Sequence, residues 1–325
     1  MEKLNLTQQW DKTFPKSEKV NHRKVTFMNR FGITLAADLY SPKNAERRVG
    51  DGTSGMGKLP ALAVSSPYGA VKEQSGGLYA QTLAERGFIT ICFDPSFTGE
   101  SGGNMRNISC ADINLDDFAS AIDYLVTLDE VDADRIGVLG VCGWGCYTFP
   151  LAAMDSRVKA VVSATMGVFD TFANGDERLA GRKALDELRT RMARGEKVEK
   201  LITVPDLDEN SPEFMKDYYA YYRTPRGYHA RSVNSGQGWN PTTFLSHWTN
   251  GIYAYADEVK QPCLLIHGDK AWSYQQSVLM IDRLTNAKSK QLITIPGATH
   301  CDLYDGGKDK VIPFDKIESF LCEKL

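Results

Sequence analysis

The fold of this chain is decided by the stretch Arg135-Ile-Gly-Val-Leu-Gly-Val-Cys-Gly-Trp-Gly-Cys146. The apolar run from Ile136 to Leu139 has the composition of a buried strand. A glycine-rich turn follows it, and helix-compatible residues resume at once and continue to Met154. A turn of this kind lifts the residue at its apex above the carboxyl end of the strand. That residue is Cys142, and the stretch therefore predicts a cysteine nucleophile.

The turn needs small neighbours around its central residue, and Gly140 and Gly143 meet that need. The usual pattern is Gly-x-Ser-x-Gly, from which the chain departs twice. Cys142 replaces the serine, and Trp144 occupies the second glycine position, with Gly145 one place later. The alternative interpretation is that Cys142 is simply a small buried residue, because free cysteines are among the most buried residue types. The position at the turn favours the nucleophile.

Length and composition indicate one large globular domain with room for an insertion. The chain has 325 residues, of which 42% are hydrophobic and 24% charged. Its net charge of −3, without a run of Lys or Arg, offers no attraction to nucleic acid or to an anionic membrane. The N-terminus lacks a signal-peptide core, and no apolar stretch is long enough to span a bilayer. We therefore expect a cytoplasmic protein that acts on a small molecule, and homo-oligomerisation stays open.

The seven cysteines are scattered and lack the paired spacing of a zinc site. No other cluster of His, Asp and Glu has the spacing of metal ligands, so neither a metal nor another cofactor is expected. Without a secretory signal the thiols should be reduced, which suits a thiolate nucleophile.

Strand and helix patterns divide the chain into an arm, a core and an insertion. Residues 1–20 are polar without periodicity and predict an arm or a short docking helix. Residues 21–165 and 256–325 begin with a hairpin and then alternate short apolar strands with helices. That alternation predicts an α/β fold with a mostly parallel central sheet and helices on both faces.

The insertion, residues 166–255, combines a charged helical section with an aromatic and glycine-rich one. Ligands of open α/β sheets bind beyond the carboxyl ends of the strands, so an insertion that leaves one of those ends would cover the site as a cap. The alternative is a helical subdomain with an aromatic core of its own. For the cap interpretation we expect the substrate pocket to be lined by Trp144, Tyr228, Trp239 and Trp272.

A thiol nucleophile needs a base, and the best-placed histidine is His300, which follows the last predicted strand in the loop Pro296-Gly-Ala-Thr-His-Cys-Asp-Leu-Tyr304. A third residue should orient the imidazole, which is a task for a carboxylate at a neighbouring strand end. Asp269 follows the penultimate strand. The order Cys142, Asp269, His300 is that of a known triad arrangement.

The chain resembles the α/β-hydrolases, and within them the dienelactone-hydrolase-like proteins with a cysteine nucleophile. Many α/β-hydrolases carry the acid at the second Asp of Gly-Asp-x-Asp, where this chain has Ala271. The role therefore falls to Asp269 or to another carboxylate, of which Asp170 is the next candidate. The segments that carry the resemblance are 67–74, 93–102, the turn at Cys142, 267–270 and 296–304.

The resemblance implies an oxyanion hole and an acyl-transfer reaction. One donor would be the backbone N–H of Gly143, and the other would come from the loop at Tyr68 and Gly69. The main hypothesis is a hydrolase of esters, lactones or thioesters that forms an acyl-cysteine intermediate. Two alternatives stay open: an acyltransferase similar to fungal polyketide transferases, and a non-catalytic binding protein with this fold.

Overall fold

The computed structural model describes residues 2–43, 57–167, 175–247 and 250–325, and these form an eight-stranded sheet with helices packed on it. The strands are β1 (Val20–Met28), β2 (Thr34–Pro42), β3 (Leu59–Ser65), β4 (Ile89–Phe93), β5 (Val131–Val141), β6 (Val158–Ala164), β7 (Cys263–Gly268) and β8 (Lys290–Ile295). The α-helices are α1 (Ser75–Ala84), α2 (Ala111–Leu125), α3 (Gly143–Met154), α4 (Gly175–Ala193), α5 (Glu213–Tyr222), α6 (Tyr274–Arg283), α7 (Asp302–Asp305) and α8 (Phe314–Lys324).

The strand order is β1-β2-β4-β3-β5-β6-β7-β8. The hairpin strands β1 and β2 are antiparallel, β2 is antiparallel to β4, and the remaining pairs are parallel. Five parallel pairings follow from the alternation of strands and helices in the sequence, because parallel neighbours need a crossover connection. The predicted mostly parallel sheet is confirmed.

Alternate residues of the central strands point to opposite faces, and each face has its own apolar core. Ala61 and Ala63 of β3 belong to one core, which includes Phe118 of α2, whereas Leu62 and Val64 belong to the other. Both faces of the strands are thus buried, as the uninterrupted apolar runs of the sequence require. The prediction of helices on both faces is confirmed.

Parallel strands β3, β5, β6, β7 and β8 all end at one edge of the sheet. The candidate catalytic residues follow these ends: the loop of Tyr68 and Gly69 follows β3, Cys142 follows β5, and His300 lies beyond β8. The topology therefore gathers them at the carboxyl edge, where ligands of such sheets bind.

The N-terminal arm lies against the core in an extended course. Its described part, residues 2–19, contains no helix, so the alternative of a docking helix was wrong. The backbone N–H of Thr7 donates to Glu100 Oε1 at 2.7 Å, and that of Thr13 donates to the carbonyl oxygen of Glu73 at 2.9 Å. Hydrogen bonds to distant segments, rather than local periodicity, fix the arm in place.

Beneath the arm lies a buried ion network that joins the arm, the hairpin, two loops of the sheet and residue 231. Lys72 is at its centre: its Nζ lies 2.7 Å from Asp94 Oδ2 and 2.8 Å from both Glu73 Oε1 and Glu100 Oε2. Each charge in the network has at least one opposite charge beside it, as buried ions require. Its members are Asp11, Lys12, His22, Lys24, Asp38, Lys72, Glu73, Asp94, Glu100 and Arg231.

Candidate active site

Cys142 stands at a sharp turn between β5 and α3. Its backbone has φ 58° and ψ −124°, a strained conformation for a residue with a side chain, typically costing about 1–3 kcal/mol. Its N–H donates to the carbonyl oxygen of Ala164 at 2.9 Å, which ties the turn to β6. A Cβ on Gly140 would lie 2.2 Å from the carbonyl oxygen of Trp144, and one on Gly145 would lie 2.8 Å from Ser163 Oγ. The turn therefore requires Gly140 and Gly145. Gly145, which lies one place after the second glycine position of the usual pattern, is the glycine that packs closely against Ser163.

Cys142 is 5% exposed, and hydrogen-bond donors surround its sulfur. Burial raises the pKa of the thiol, and four groups offset part of that effect: the hydroxyls of Tyr304 and Tyr218 and the backbone N–H groups of Gly143 and Tyr68. The Tyr304 hydroxyl faces the sulfur but makes no hydrogen bond of regular geometry with any described residue. At neutral pH the resting site therefore holds a protonated thiol with donors already placed around it.

His300 lies in the loop between β8 and α7 and is 1% exposed. Its ring stacks on Trp272, with centroids 5.3 Å apart and an interplanar angle of 20°. The rings of Tyr218 and Tyr304, both neighbours of the Cys142 sulfur, each lie 5.4 Å from the imidazole. Burial lowers the pKa of His300 well below its usual range, so the imidazole is neutral. Its Nε2 is buried and has no hydrogen-bond partner among the described residues.

The other ring nitrogen of His300 is held by hydroxyl groups. Nδ1 lies 2.8 Å from Ser273 Oγ and 3.1 Å from Thr165 Oγ1. Asp269 is exposed, and its Oδ1 accepts the backbone N–H of Gly297 at 2.7 Å. The expectation that Asp269 orients His300 is therefore corrected: its side chain turns outward to cap the loop after β8. The next candidate, Asp170, lies outside the described residues.

The loop of Tyr68 and Gly69 is fixed by residues of the insertion. Asn234 Nδ2 donates to the carbonyl oxygen of Tyr68 at 2.7 Å, and Ser232 Oγ donates to that of Gly69 at 2.9 Å. Gly69 has φ +80°, and a Cβ there would lie 2.5 Å from Asn234 Oδ1, so no other residue fits without displacement. These contacts aim the Tyr68 N–H at the Cys142 sulfur.

A cavity of about 350 Å³ opens onto the Cys142 sulfur. Residues of the insertion supply most of its wall, and aromatic and aliphatic side chains dominate it. The lining residues are Tyr68, Cys142, Thr203, Val204, Phe214, Met215, Tyr218, Asn234, Phe244 and Trp272.

A family model described as X-Pro dipeptidyl-peptidase (S15 family) matches residues 32–302, which is most of the chain. The chain belongs to this family. A relative from Pseudomonas aeruginosa, the uncharacterized protein PA2218, is 49% identical to this S15-family protein over 99% of the chain and 86% of the relative. The crystal structure of PA2218 superposes with a TM-score of 0.90 at 46% identity and covers all of both chains.

More distant proteins establish the fold class of the S15-family chain. The α/β hydrolase GrgF from Penicillium superposes with a TM-score of 0.75 at 20% identity, covering 94% of this chain and 99% of GrgF. The α/β-hydrolase fold is thereby confirmed. The acyltransferase drtE from Aspergillus calidoustus is 30% identical over 47% of this chain and 45% of its own length.

Of the four pocket residues that the sequence predicts, Trp272 is in the cavity wall of this S15-family protein and three are not. Trp144 is 2% exposed and packs between Phe93 and Phe118, because α3 turns it into the core. Tyr228 is 50% exposed on the surface. Trp239 stacks behind Tyr68, with ring centroids 4.5 Å apart, and so supports the wall without lining it. Of these four expectations, the structure therefore corrects those for Trp144, Tyr228 and Trp239.

The cavity residues that the sequence did not single out are Thr203, Val204, Phe214, Met215, Tyr218, Asn234 and Phe244, of which Phe214, Met215 and Tyr218 lie on α5. The aromatic enrichment of the insertion is a signal for them, but it does not distinguish the inward face of a helix from the outward one.

In the part of the S15-family chain that the structure describes, no group of three or more His, Cys, Asp and Glu side chains could hold a metal ion. Among the described helices, none has the length and apolarity needed to cross a bilayer.

The raised pKa of the Cys142 thiol gives a testable pH dependence in the S15-family protein. Because only the thiolate reacts, labelling of Cys142 by iodoacetamide should be slow at pH 7 and should rise through a midpoint above the ordinary value of 9.0. Tyr304→Phe removes a donor to the thiolate, so its midpoint should move up by about one pH unit, since a hydrogen bond to a charged group contributes about 1.5–3 kcal/mol. Mass spectrometry of the labelled peptide gives the rate at each pH.

Tyr40→Phe is the matched control for that measurement. Tyr40 is also fully buried with a hydroxyl that lacks a described partner, but it lies on β2 at the hairpin. Its labelling curve should coincide with that of the wild type. A Tyr304→Phe curve that also coincides would show that the hydroxyl does not act on the sulfur.

Proposed function

We propose that this protein catalyses acyl transfer from an ester, lactone or thioester through a thioester on Cys142, with water as the acceptor. The observation that carries the proposal is the arrangement at the turn. The Cys142 sulfur faces two backbone N–H groups, those of Gly143 and Tyr68, and shares its tyrosine neighbours with a buried histidine whose Nε2 is unoccupied. A nucleophile, donors for an oxyanion and a neutral base are the three parts that acyl transfer needs.

In the first half of the reaction, His300 Nε2 takes the proton of the Cys142 thiol as the sulfur attacks the carbonyl carbon. The carbonyl oxygen gains a negative charge and accepts hydrogen bonds from the N–H groups of Gly143 and Tyr68, each worth about 3 kcal/mol of transition-state stabilisation. The carbonyl then re-forms, and the bond to the leaving alkoxide or thiolate breaks. His300 gives its proton to that leaving group. An acyl-cysteine remains.

In the second half, His300 Nε2 takes a proton from water, whose oxygen attacks the thioester carbon. The same N–H donors bind the oxyanion, the bond between carbon and sulfur breaks, and the proton returns to the sulfur of Cys142. The burial of Cys142 and His300 side by side with the cavity favours both halves through proximity. A neutral imidazole at neutral pH, which the lowered pKa of His300 supports, is the protonation state that both halves require.

The cavity wall supports an apolar acyl group as substrate. Phe214, Met215 and Phe244 line it together with Trp272, and its volume of about 350 Å³ is within the range of small-molecule sites. We also propose that residues 166–255 act as a cap on the core formed by residues 21–165 and 256–325, since side chains from the insertion form most of the wall.

An acyltransferase is the second candidate, and the similarity to the acyltransferase drtE over about half of the chain motivates it. In that reaction an alcohol or amine replaces water in the second half. Turnover with and without a candidate alcohol separates the two, because a transferase should release little free acid.

Intact-protein mass spectrometry after brief exposure to a panel of activated esters tests the proposal. Wild-type protein should gain the mass of one acyl group, and Cys142→Ala should gain none and turn over the ester at least about 10⁴-fold more slowly. A dipeptidyl amide with proline in the second position belongs in the panel because of the family to which the chain belongs. If that amide were cleaved and no ester were, the proposed substrate class would be wrong.

Two cysteines near the site provide matched controls. Cys146 lies one helical turn after Cys142, and Cys301 adjoins His300, and both are buried. Cys146→Ala and Cys301→Ala should still form the adduct. Equal slow hydrolysis by wild type and Cys142→Ala, without an adduct on either, would instead favour a non-catalytic binding protein.

A further inference from the structure

A chain of hydrogen bonds leads from His300 away from the cavity and ends in the packing between β7 and α6. Nδ1 of His300 lies 2.8 Å from Ser273 Oγ, which lies 2.9 Å from Nε2 of His267. Nδ1 of His267 in turn lies 2.6 Å from Ser277 Oγ. All four side chains are at most 1% exposed, so water does not compete for these bonds.

The protons along this chain have one arrangement that suits a base at His300. If Nε2 of His300 is to accept a proton, Nδ1 must carry the hydrogen and donate it to Ser273 Oγ. The Ser273 hydroxyl then donates to Nε2 of His267, whose Nδ1 carries a hydrogen and donates to Ser277 Oγ. Each of these three hydrogen bonds then joins one donor to one acceptor.

The hydrogen bonds of Thr165 fit the same direction of donation. Its Oγ1 lies 3.3 Å from the carbonyl oxygen of His300, to which its hydroxyl donates. The oxygen of that hydroxyl is then left to accept from Nδ1 of His300 at 3.1 Å. Thr165 and Ser273 thus both present acceptors to the Nδ1 hydrogen.

We infer that Ser273 and His267 are positioning residues that take the place of the usual triad carboxylate in this chain. Ser273 holds the imidazole of His300 with its Nε2 free for the thiol, and His267 keeps the Ser273 hydroxyl turned so that its oxygen faces Nδ1. The inference rests on the proposed role of His300 as the base for Cys142.

Neutral partners differ from a carboxylate in what they supply. A carboxylate selects the tautomer and also stabilises the imidazolium that forms during the reaction. Ser273 and His267 select the tautomer and fix the plane of the ring, but they bring no negative charge. Burial lowers the pKa of His267 to about 3, so it stays neutral and has one ring nitrogen able to accept a hydrogen bond throughout the neutral range.

The test combines nitrogen-15 NMR of the histidine rings with turnover of an ester that the wild type hydrolyses. The NMR spectrum should show the wild-type His300 as a single tautomer with hydrogen on Nδ1. Ser273→Ala should give a mixture of tautomers and lower kcat by about 10–100-fold, as loss of the hydrogen-bond partner that orients a metal-bound histidine does. Ser273→Thr retains a hydroxyl and should restore the single tautomer and most of the rate.

Variants at His267 test the second step of the chain. His267→Gln keeps an acceptor for the Ser273 hydroxyl and should stay within about fivefold of the wild-type rate, whereas His267→Leu should behave like Ser273→Ala. Ser75→Ala is the matched control, because Ser75 is also buried, has a hydroxyl with no described partner and lies at the start of α1. It should change neither readout.

Two results would overturn the inference: an unchanged tautomer and rate in Ser273→Ala, or a Ser273→Thr variant as impaired as Ser273→Ala while its melting temperature equals that of the wild type. The NMR readout does not need catalysis, so it separates this inference from the proposed function. If no ester is ever turned over but the tautomer still depends on Ser273, the proposed function fails and the hydrogen-bond chain stands.

Discussion

Replacing His300 with glutamine should lower the turnover of an ester substrate by about 10³-fold, within the range expected for loss of a general base. Glutamine fills similar space but cannot accept the proton of the Cys142 thiol. The thiol stays protonated because burial raises its pKa, so little thiolate forms without the base. Activated esters should still acylate the cysteine slowly. Hydrolysis of the thioester should suffer more, because water also needs the base, and the acyl-protein should accumulate in a mass spectrum.

Chemical rescue is the control for the loss at His300. His300→Gly leaves a space between Trp272, Tyr218 and Tyr304, whose rings surround the imidazole in the wild type. Added imidazole should restore part of the activity in His300→Gly but not in His300→Gln, where the space is filled. Activity of His300→Gln within tenfold of the wild type would remove His300 from the mechanism.

Replacing Lys72 with methionine should lower the free energy of unfolding by about 3–5 kcal/mol, the cost of breaking a buried ion pair on one side. Lys72 is 0% exposed, and three carboxylates lie within 2.8 Å of its Nζ. Burial alone would lower the pKa of Lys72, but the surrounding carboxylates, with Asp94 and Glu73 foremost, hold it well above its usual range. Methionine retains the volume and removes the charge, which takes away the cation paired with Asp94 and one of the cations paired with Glu73 and with Glu100. Urea unfolding followed by circular dichroism measures the loss.

Lys216→Met is the matched control, because Lys216 pairs with Glu213 at 2.6 Å on an exposed helix surface. The effect of Lys216→Met on the free energy of unfolding should stay below about 1 kcal/mol.

Low pH should remove part of the stability that the ion network contributes. Burial alone would raise the pKa of Glu100, but Lys72 and Lys24 lower it to about 2, so its stabilisation is complete above 4.5 and is lost as the pH falls through 2. A loss below 1 kcal/mol for Lys72→Met at pH 7 would mean that the network does not stabilise the fold.

The turn at Cys142 could be predicted from the sequence because its signals are local. An apolar run, closely spaced glycines and a helix-compatible continuation all fall within 20 residues, and each reflects a steric need of the turn. His300 could be placed for a similar reason, since a loop after the last parallel strand must emerge at the same edge as the others.

The partner of His300 could not be predicted, because its signal is not local. Asp269 has the right residue type and follows the right strand, but its direction depends on the loop that carries Gly297, to which it is bound. Ser273 is one serine among many in the sequence, and only the packing of α6 brings it to the imidazole. Tyr218 and Tyr228 look alike in the sequence, yet one lines the cavity and the other is half exposed. Tyr218 lies on α5, whereas Tyr228 lies in the loop that follows this helix.

The long separation in sequence between Asp11 and Arg231 also delays the formation of their ion pair during synthesis. The two side chains meet at 2.8 Å although 220 positions separate them, as the difference between 231 and 11 gives. At about 5–20 residues per second, a ribosome needs roughly ten to forty seconds to travel that distance. During that time Asp11 lacks its ion-pair partner. Asp11 therefore leaves the ribosome long before the residue that completes its native ion pair.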